Sequence, residues 1–470
     1  MNLDRTLRTN SLSSPPQFQK QVNAIGFPSK RWVSPLVRFF LLVWIGLGAA
    51  SVGPNVYSAD HPNVIFILAD DLGYGELGCF GQEHIQTPCI DRIASEGMRF
   101  TQAYAGATVC APSRCTLMTG LHTGHCFVRG NHKIDPVGQL PMPADTKTLA
   151  HMMQNAGYRT GLIGKWGLGY PGSHSTPGTM GFEYFYGYNC QRNAHSYYPE
   201  YLWRNEEKVP LDPNTYSHDV MAEEALGFVR RNHQSPFFLY LAFTIPHKKL
   251  QVPSLGAYAD KPWSENEKIC AAMISRMDSD VGRLMDVLKE LKIDDQTLVF
   301  FTSDNGAVHQ FPRFNHSGPL RGRKRSMYEG GIRSPSIARW PGKIAAGTVS
   351  EQVWSFWDMM PTMADLTGQS CETPTDGVSI LPALLENKIV EHPPMYWEFH
   401  ERGFTQAARI GDWKAVRNGV GKPLELYDLP SDVHEDNDVA SEHPELVEKF
   451  ESFLQSERTH SDVWQIPSTP

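Results

Sequence analysis

Residues 110–121 (CAPSRCTLMTGL) combine a cysteine, a proline and an arginine in a pattern typical of a loop that enters a short helix. Pro112 suits the first helical position, and Gly120 suits the end, where a left-handed residue is common. Cys110 would then lie at the helix N-terminus, whose free backbone N–H groups favour an anion, and Arg114 would add a planar cation. The stretch predicts an activated thiol beside an anion-binding site. An ordinary buried cysteine on a capped core helix would show the same local pattern.

Acidic and amide side chains follow two predicted strands. Residues 63–69 (NVIFILA) and 297–302 (TLVFFT) are apolar runs of the kind that is buried on both faces of a parallel sheet. The side chains that come directly after these runs are Asp70, Asp71, Asp304 and Asn305. Ligand sites in open α/β sheets gather at the carboxyl ends of strands, so we expect the two pairs to lie together. Together they predict a site for a hard cation, whereas either pair alone is equally consistent with turn residues.

Basic and histidine side chains follow further predicted strands. Lys165 comes after the strand predicted over residues 158–163, and His247 comes after the one predicted over residues 236–244. Lys324 lies in a basic turn. The positions of Lys165 and His247 predict a cation and an imidazole at the same edge of the sheet, whereas a lone histidine can also be a structural residue and a basic turn can be a solvated one.

The stretch 110–121 contains the signature Cys-x-Pro-Ser-Arg-x-x-x-x-Thr-Gly, and the chain therefore resembles the type I sulfatase family of the alkaline-phosphatase superfamily. Four further segments match that family in order, including Pro-His at 246–247 and Ser-Asp-Asn-Gly at 303–306. The resemblance implies that Cys110 is oxidised after translation to formylglycine by a formylglycine-generating enzyme. The aldehyde hydrate would be the nucleophile that attacks a sulfate ester.

The resemblance also implies a role for each matching residue. One Ca²⁺ ion would be bound by Asp70, Asp71, Asp304, Asn305 and the modified Cys110. The residues with catalytic roles would be Cys110, Arg114, Lys165, His247 and Lys324. The cations among them would neutralise developing charge, and His247 would be the acid for the leaving alcohol.

One position departs from the family pattern. The family carries Gly-Lys-Trp-His-Leu-Gly where this chain has Gly-Lys-Trp-Gly-Leu-Gly, so that Gly167 replaces a histidine which contacts the hydrate and helps to release sulfate. Four histidines are candidates for the missing role, and their spacing does not separate them: His122, His125, His174 and His195.

The fold expected from the strand pattern and the resemblance is an α/β sandwich of the alkaline-phosphatase type, with a large, mainly parallel sheet between helices. After Pro393 short strand-like runs and a final helix predict a small C-terminal α+β domain with an antiparallel sheet. We assign residues 60–390 to the catalytic domain and residues 391–470 to this second domain. Residues 172–203 have neither helical nor strand periodicity and predict a long ordered loop, whose aromatic and amide side chains suit a sugar.

Residues 1–59 are predicted to be a signal peptide, because a basic region is followed by an apolar run and small residues. The apolar run at 39–52 is shorter than the roughly 20 residues that a membrane-spanning helix needs, although a retained anchor is an alternative. Removing residues 1–59, with six basic residues and one acidic residue, changes the net charge from −8 to −13. This acidity argues against nucleic-acid binding, and export places the protein in the periplasm or outside the cell.

The function expected is therefore the hydrolysis of a sulfated small molecule or a sulfated glycan. Two alternatives stay open from the sequence. A phosphomonoester or phosphonate hydrolase would share the fold and the metal site, and a non-catalytic binder of sulfated glycans would agree with the loss of histidine at position 167.

Overall fold

The computed structural model describes residues 61–401 and 403–468 of the chain, and the predicted signal peptide lies outside them. Nine α-helices occur within these ranges: α1 (Pro88–Ser95), α2 (Cys110–Thr119), α3 (Leu149–Asn155), α4 (Ser217–Asn232), α5 (Glu265–Glu290), α6 (Glu329–Ile332), α7 (Met359–Thr367), α8 (Leu381–Glu386) and α9 (Pro444–Ser456). None of these described helices has the length and apolar content that crossing a bilayer requires.

The described residues also form eighteen strands: β1 (Asn63–Asp70), β2 (Met98–Phe100), β3 (Ala103–Tyr104), β4 (Lys133–Ile134), β5 (Gly138–Gln139), β6 (Arg159–Lys165), β7 (Tyr184–Tyr188), β8 (Tyr201–Arg204), β9 (Glu207–Pro210), β10 (Phe237–Pro246), β11 (Thr297–Ser303), β12 (Ser336–Arg339), β13 (Thr348–Ser350), β14 (Trp354–Ser355), β15 (Met395–Phe399), β16 (Thr405–Ile410), β17 (Trp413–Arg417) and β18 (Glu425–Asp428).

A ten-stranded sheet organises the main domain, in the order β13-β2-β12-β11-β1-β10-β6-β7-β8-β9. Its five central strands, β11 to β7 in this order, run parallel, and antiparallel pairs flank them on both sides. The predicted sandwich with a large, mainly parallel sheet is confirmed. Parallel strands end at one edge, which is why side chains far apart in sequence meet there.

Helices cover both faces of the sheet, and this explains why residues 64–69 of β1 are all apolar. Ile65 and Ile67 pack into the cluster formed with α1, α4 and α5, whereas Val64 and Phe66 pack into the cluster formed with α2, α3 and α7. All eight residues of β1 are buried. A strand covered on both faces needs apolar side chains at successive positions rather than at alternate ones.

The C-terminal sheet β15-β16-β17-β18 is antiparallel, as predicted. One face packs on α9 through residues such as Phe450, and the other face packs on the main domain through Trp397 beside Tyr104.

The prediction of a continuous loop over residues 172–203 is wrong. Residues Tyr184–Tyr188 form β7, which pairs parallel with β6, and the segment continues into β8. The aromatic side chains favour a strand, but β7 is buried at nearly every position and so shows no alternation.

Candidate active site

The predicted chemical residues converge at the carboxyl edge of the central strands. Asp70 ends β1, Lys165 ends β6, and His247 directly follows β10. Asp304 and Asn305 follow β11, and Cys110 begins α2. All of these side chains are almost fully buried.

Cys110 is the first residue of α2 and is 2% exposed. Its Sγ lies 3.4 Å from Asp70 Oδ1 and 3.3 Å from Lys324 Nζ. Gly120 ends the helix with a φ of 69°, as predicted, but Pro112 is the third helical residue and not the first.

The Cys110 thiol is not activated in the folded chain, contrary to the local prediction. Burial raises its pKa well above the usual range, and the carboxylates of Asp304 and Asp70 raise it further. The ammonium groups of Lys165 and Lys324 act in the opposite direction but do not compensate. Desolvation and nearby carboxylates outweigh the position at a helix N-terminus, so the residue is poorly suited to act as a thiolate.

Arg114 and Lys165 connect two of the acidic residues. The Arg114 guanidinium donates to Asp304 Oδ2 from Nε at 3.1 Å and from Nη2 at 2.8 Å, and its Nη1 donates to the Lys165 carbonyl at 2.8 Å. Lys165 Nζ lies 2.6 Å from Asp70 Oδ2. Burial alone would raise the pKa of Asp70, but the surrounding cations outweigh it and hold this carboxyl far below its usual range.

Asp71 is the centre of a second set of contacts and has a left-handed backbone, with a φ of 68°. Its Oδ1 accepts hydrogen bonds from Lys324 Nζ at 2.5 Å and from Asn305 Nδ2 at 2.7 Å. Its backbone N–H donates to Asp304 Oδ1 at 3.1 Å. The two acidic pairs predicted from separate strand ends are therefore in direct contact.

Two buried oxygen atoms of this cluster, Asp71 Oδ2 and Asn305 Oδ1, have no hydrogen-bond partner among the described residues. Ligand atoms of Asp70, Asp71, Cys110 and His247 lie within 4.8 Å of one another. Unpaired carboxylate and amide oxygens are the ligands that a hard cation such as Ca²⁺ prefers. The residues present fit a calcium ion, and the Asp304 Oδ2 atom pairs with Arg114.

His247 adds an imidazole to this site. Its Nδ1 lies 2.5 Å from the Lys248 carbonyl, which only accepts, so Nδ1 carries a proton. Its Nε2 faces Asp71 Oδ2 at 3.3 Å, a contact that needs a proton or a cation between the two atoms. Burial lowers the pKa of His247 to about 4, so the ring is neutral at neutral pH, with its proton on Nδ1.

The structure separates the four histidines considered for the role missing at Gly167. His195 stacks on His247, with ring centroids 4.2 Å apart. His122 and His125 lie beside Asp376 instead, and His174 is exposed. Spacing alone could not select His195, because its contact depends on how the segment after β7 returns to β10.

Gly167 has a φ of 78°, and Gln191 occupies the space that a side chain at position 167 would need. A Cβ atom at this position would lie 2.9 Å from Gln191 Cγ. Sequence reasoning also missed Asn131, whose Oδ1 accepts from the Ala111 N–H just after Cys110 at 3.2 Å. Both contacts are tertiary, and no local signal points to them.

Comparison with known proteins places this geometry in a family. The Sulfatase family pattern matches residues 62–369, and the pattern called N-sulphoglucosamine sulphohydrolase, C-terminal, matches residues 322–460. N-acetylgalactosamine-6-sulfatase of Sus scrofa is 35% identical over 82% of this chain and 76% of its own length. N-acetylgalactosamine-6-O-sulfatase of Bacteroides thetaiotaomicron is 29% identical over 86% of this chain and 94% of its own length.

A solved structure agrees with these relatives. Ps i-CgsB in complex with k-i-k-neocarrahexaose superposes with a TM-score of 0.75 at 30% identity, covering 86% of this chain and 96% of the other. The chain thus belongs to the sulfatase family of the alkaline-phosphatase superfamily, and it is an enzyme that hydrolyses sulfate esters.

Proposed function

We propose that this enzyme removes sulfate from a sulfated carbohydrate, with Cys110 as the precursor of formylglycine and one Ca²⁺ ion in the site. The observation that carries the proposal is the placement of Cys110 Sγ between Asp70 and Lys324, in a site that raises the thiol pKa. Such a site disfavours a thiolate nucleophile but suits an uncharged precursor. As a hydrated aldehyde, the modified residue would supply an oxygen nucleophile for the sulfur of the ester and release sulfate afterwards.

The calcium ion would be held by Asp70, Asp71, Asp304, Asn305 and the modified Cys110, and it would polarise the sulfate oxygens when bound. Lys165 pairs with Asp70, and Lys324 pairs with Asp71. Both lysines are buried, so their charges act at a low effective dielectric constant. Arg114 fixes Asp304 through two donated hydrogen bonds. We assign these cations to stabilising the charge that develops on the sulfate group.

His247 is the proposed acid for the leaving alcohol, because its Nε2 faces the acidic pair, and it would act in this role once substrate binding has placed a proton on Nε2. His195 is the proposed partner in the second half of the reaction, in which sulfate leaves. Burial lowers the pKa of His195 to about 3, so its ring stays neutral and would act by hydrogen bonding to the hydrate rather than as a charged group. His195 and His247 together would take over the function of the family histidine that Gly167 replaces.

The relatives support a carbohydrate substrate. Two of them are named for sulfate removal from N-acetylgalactosamine, and the solved neighbour binds a neocarrahexaose. We therefore propose a sulfated sugar of a glycan, and we propose export through the predicted leader at residues 1–59, with maturation by a formylglycine-generating enzyme.

Mass spectrometry of the peptide that contains Cys110 tests the maturation directly. Protein made in a host with a formylglycine-generating enzyme should carry an aldehyde at residue 110 and should release sulfate from N-acetylgalactosamine 6-sulfate or 4-nitrophenyl sulfate. Cys110→Ala should abolish turnover, whereas Cys190→Ala, which removes another buried thiol, should keep it.

An unmodified thiol in protein that is fully active would refute the proposed nucleophile. Faster turnover of 4-nitrophenyl phosphate than of the matched sulfate would favour the phosphoester alternative. Tight binding of the sulfated sugar without any turnover in matured protein would favour the non-catalytic binder.

A further inference from the structure

Two buried glutamines lie beside Gly167, on the side of the active site where β6 and β7 end. Gln191 is 4% exposed and follows β7, whereas Gln139 is 3% exposed and ends β5. The Gln139 N–H donates to the Gly169 carbonyl at 3.1 Å, so β5 is attached to the segment that follows β6. Because β6 and β7 are parallel neighbours, their carboxyl ends bring Gly167 and Gln191 together.

The side-chain amide of Gln191 is satisfied at one end only. Gln139 Nε2 donates to Gln191 Oε1 at 3.2 Å, which holds the amide in one orientation. Gln191 Nε2 is buried and has no hydrogen-bond partner among the described residues. A buried donor without an acceptor destabilises the folded chain, so this N–H group needs an acceptor that the described residues do not supply.

Gln191 occupies space that the family histidine would otherwise use. A Cβ atom on Gly167 would lie 3.2 Å from Gln191 Nε2, so the amide nitrogen stands where the side chain of a histidine would begin. Gly167 follows Lys165 by two residues, and Lys165 Nζ lies 2.6 Å from Asp70 Oδ2. The amide is therefore next to the segment that supplies a cation to the site.

The chain after Gln191 leads to the other side of the same site. A backbone hydrogen bond of 3.3 Å closes one helical turn over residues 190–194. Residues four apart lie on the same side of such a turn, which places Gln191 on the side of His195. His195 stacks on His247, with ring centroids 4.2 Å apart. Gln191 thus lies between the end of β6 and the histidine pair.

We propose that Gln191 is a further residue of the reaction, whose Nε2 donates a hydrogen bond to an oxygen of the sulfate group, and that Gln139 orients it. This role rests on the proposed function, in which the sulfate group lies against the modified residue 110. A primary amide is an uncharged donor, so it binds an anionic oxygen without adding a group that transfers protons. It therefore complements the histidine pair, which acts on the hydrate and the leaving alcohol.

Steady-state kinetics of the matured full-length enzyme test this role, with 4-nitrophenyl sulfate as substrate and inorganic sulfate as product inhibitor. Gln191→Met keeps the length of the side chain but removes the donor, so it should lower kcat/KM at least about tenfold. It should also raise the inhibition constant of inorganic sulfate at least about fivefold. The matched control is Gln406→Met, which removes another 4%-exposed amide, from β16 of the C-terminal sheet, and should keep both constants.

Gln191→Glu is a second variant, which keeps the shape of the side chain and the acceptor for Gln139 Nε2. Its carboxyl group donates only when it is protonated, so its kcat/KM relative to that of the wild type should rise as the pH falls. Circular dichroism checks that each variant is folded, and mass spectrometry checks that residue 110 is modified to the same extent.

The proposal is overturned if folded, fully modified Gln191→Met keeps the wild-type kcat/KM, or if it loses activity with an unchanged inhibition constant for sulfate. A pH-independent ratio for Gln191→Glu also overturns it. These outcomes differ from a failure of the proposed nucleophile, which an unmodified thiol in active wild-type protein would reveal. In that event the two sulfate inhibition constants still decide whether Gln191 binds the sulfate group.

Discussion

Lys324→Met tests the electrostatic role of the buried lysine beside Cys110. Lys324 Nζ lies 3.3 Å from Cys110 Sγ, close to where the nucleophile would stand. At an effective dielectric constant of about 20, a full unit charge at 3.3 Å interacts with the ammonium by about 5 kcal/mol. If about half a unit charge develops there in the transition state, removing the ammonium loses ~2.5 kcal/mol of transition-state stabilisation, which lowers the rate roughly 70-fold. In other enzymes, removing one preorganised hydrogen-bond donor lowers kcat by a similar factor, roughly 10²–10³.

The assay is sulfate release from a matured enzyme, with kcat and KM determined separately. Methionine has a similar length to lysine, so the change removes charge with little loss of volume. Arg323→Met is the matched control, because it removes a neighbouring cation that is exposed. The control should keep its rate within about twofold, as expected for a surface substitution. A loss in kcat/KM of less than about fivefold for Lys324→Met, in folded and fully modified protein, would refute the reasoning.

Three further perturbations concern buried charges. Removing Ca²⁺ with a chelator should abolish sulfate release, and Asp71→Asn should raise the Ca²⁺ concentration needed for half-maximal rate; an unchanged requirement would contradict Asp71 as a ligand. Lys414 Nζ lies 2.9 Å from Glu329 Oε1 and 2.8 Å from Glu435 Oε1, so Lys414→Met should lower the free energy of unfolding by ~3–5 kcal/mol in urea melts. Exposed Lys422→Met should change it by no more than about 0.5 kcal/mol. Burial raises the pKa of Glu435 to about 7, and the Glu329 charge also raises it, from 4.5 in the unfolded chain. The folded state therefore holds this proton more tightly, and the stabilisation from it is complete below about pH 4.5 and is lost as the pH rises through about 7. Over that window the free energy of unfolding of the wild type should fall relative to that of Glu435→Gln. The same pH dependence in both proteins would contradict this.

The parts of the site that depend on strand ends were predictable from sequence. Asp70, Lys165 and Asp304 each follow an apolar run, and the rule that parallel strands end at one edge brings them together without knowledge of the strand order. The fold class followed from the same runs, because strands covered on both faces show uninterrupted apolar sequence.

Other features depend on contacts that no local pattern encodes. The pKa of Cys110 is set by burial and by carboxylates from two strands, so reasoning from its helix position predicted the wrong direction. The stacking of His195 on His247 depends on the path of the chain between β7 and β10. β7 itself was missed because its sequence, YFYGY, has no alternation and is interrupted by Gly187, so it lacks the continuous apolar run that identified the other buried strands.

The burial of α2 has a consequence for the order of events during synthesis. All ten residues of this helix are buried, and Cys110 is 2% exposed at its first position. A modifying enzyme must reach the side chain that it oxidises, and a helix that is buried along its whole length does not expose this cysteine. Under the proposed function, oxidation of Cys110 therefore competes in time with folding: a chain that packs α2 first keeps its thiol. The active fraction of a preparation would then record the outcome of that competition, and slowing the folding of the main domain should increase it.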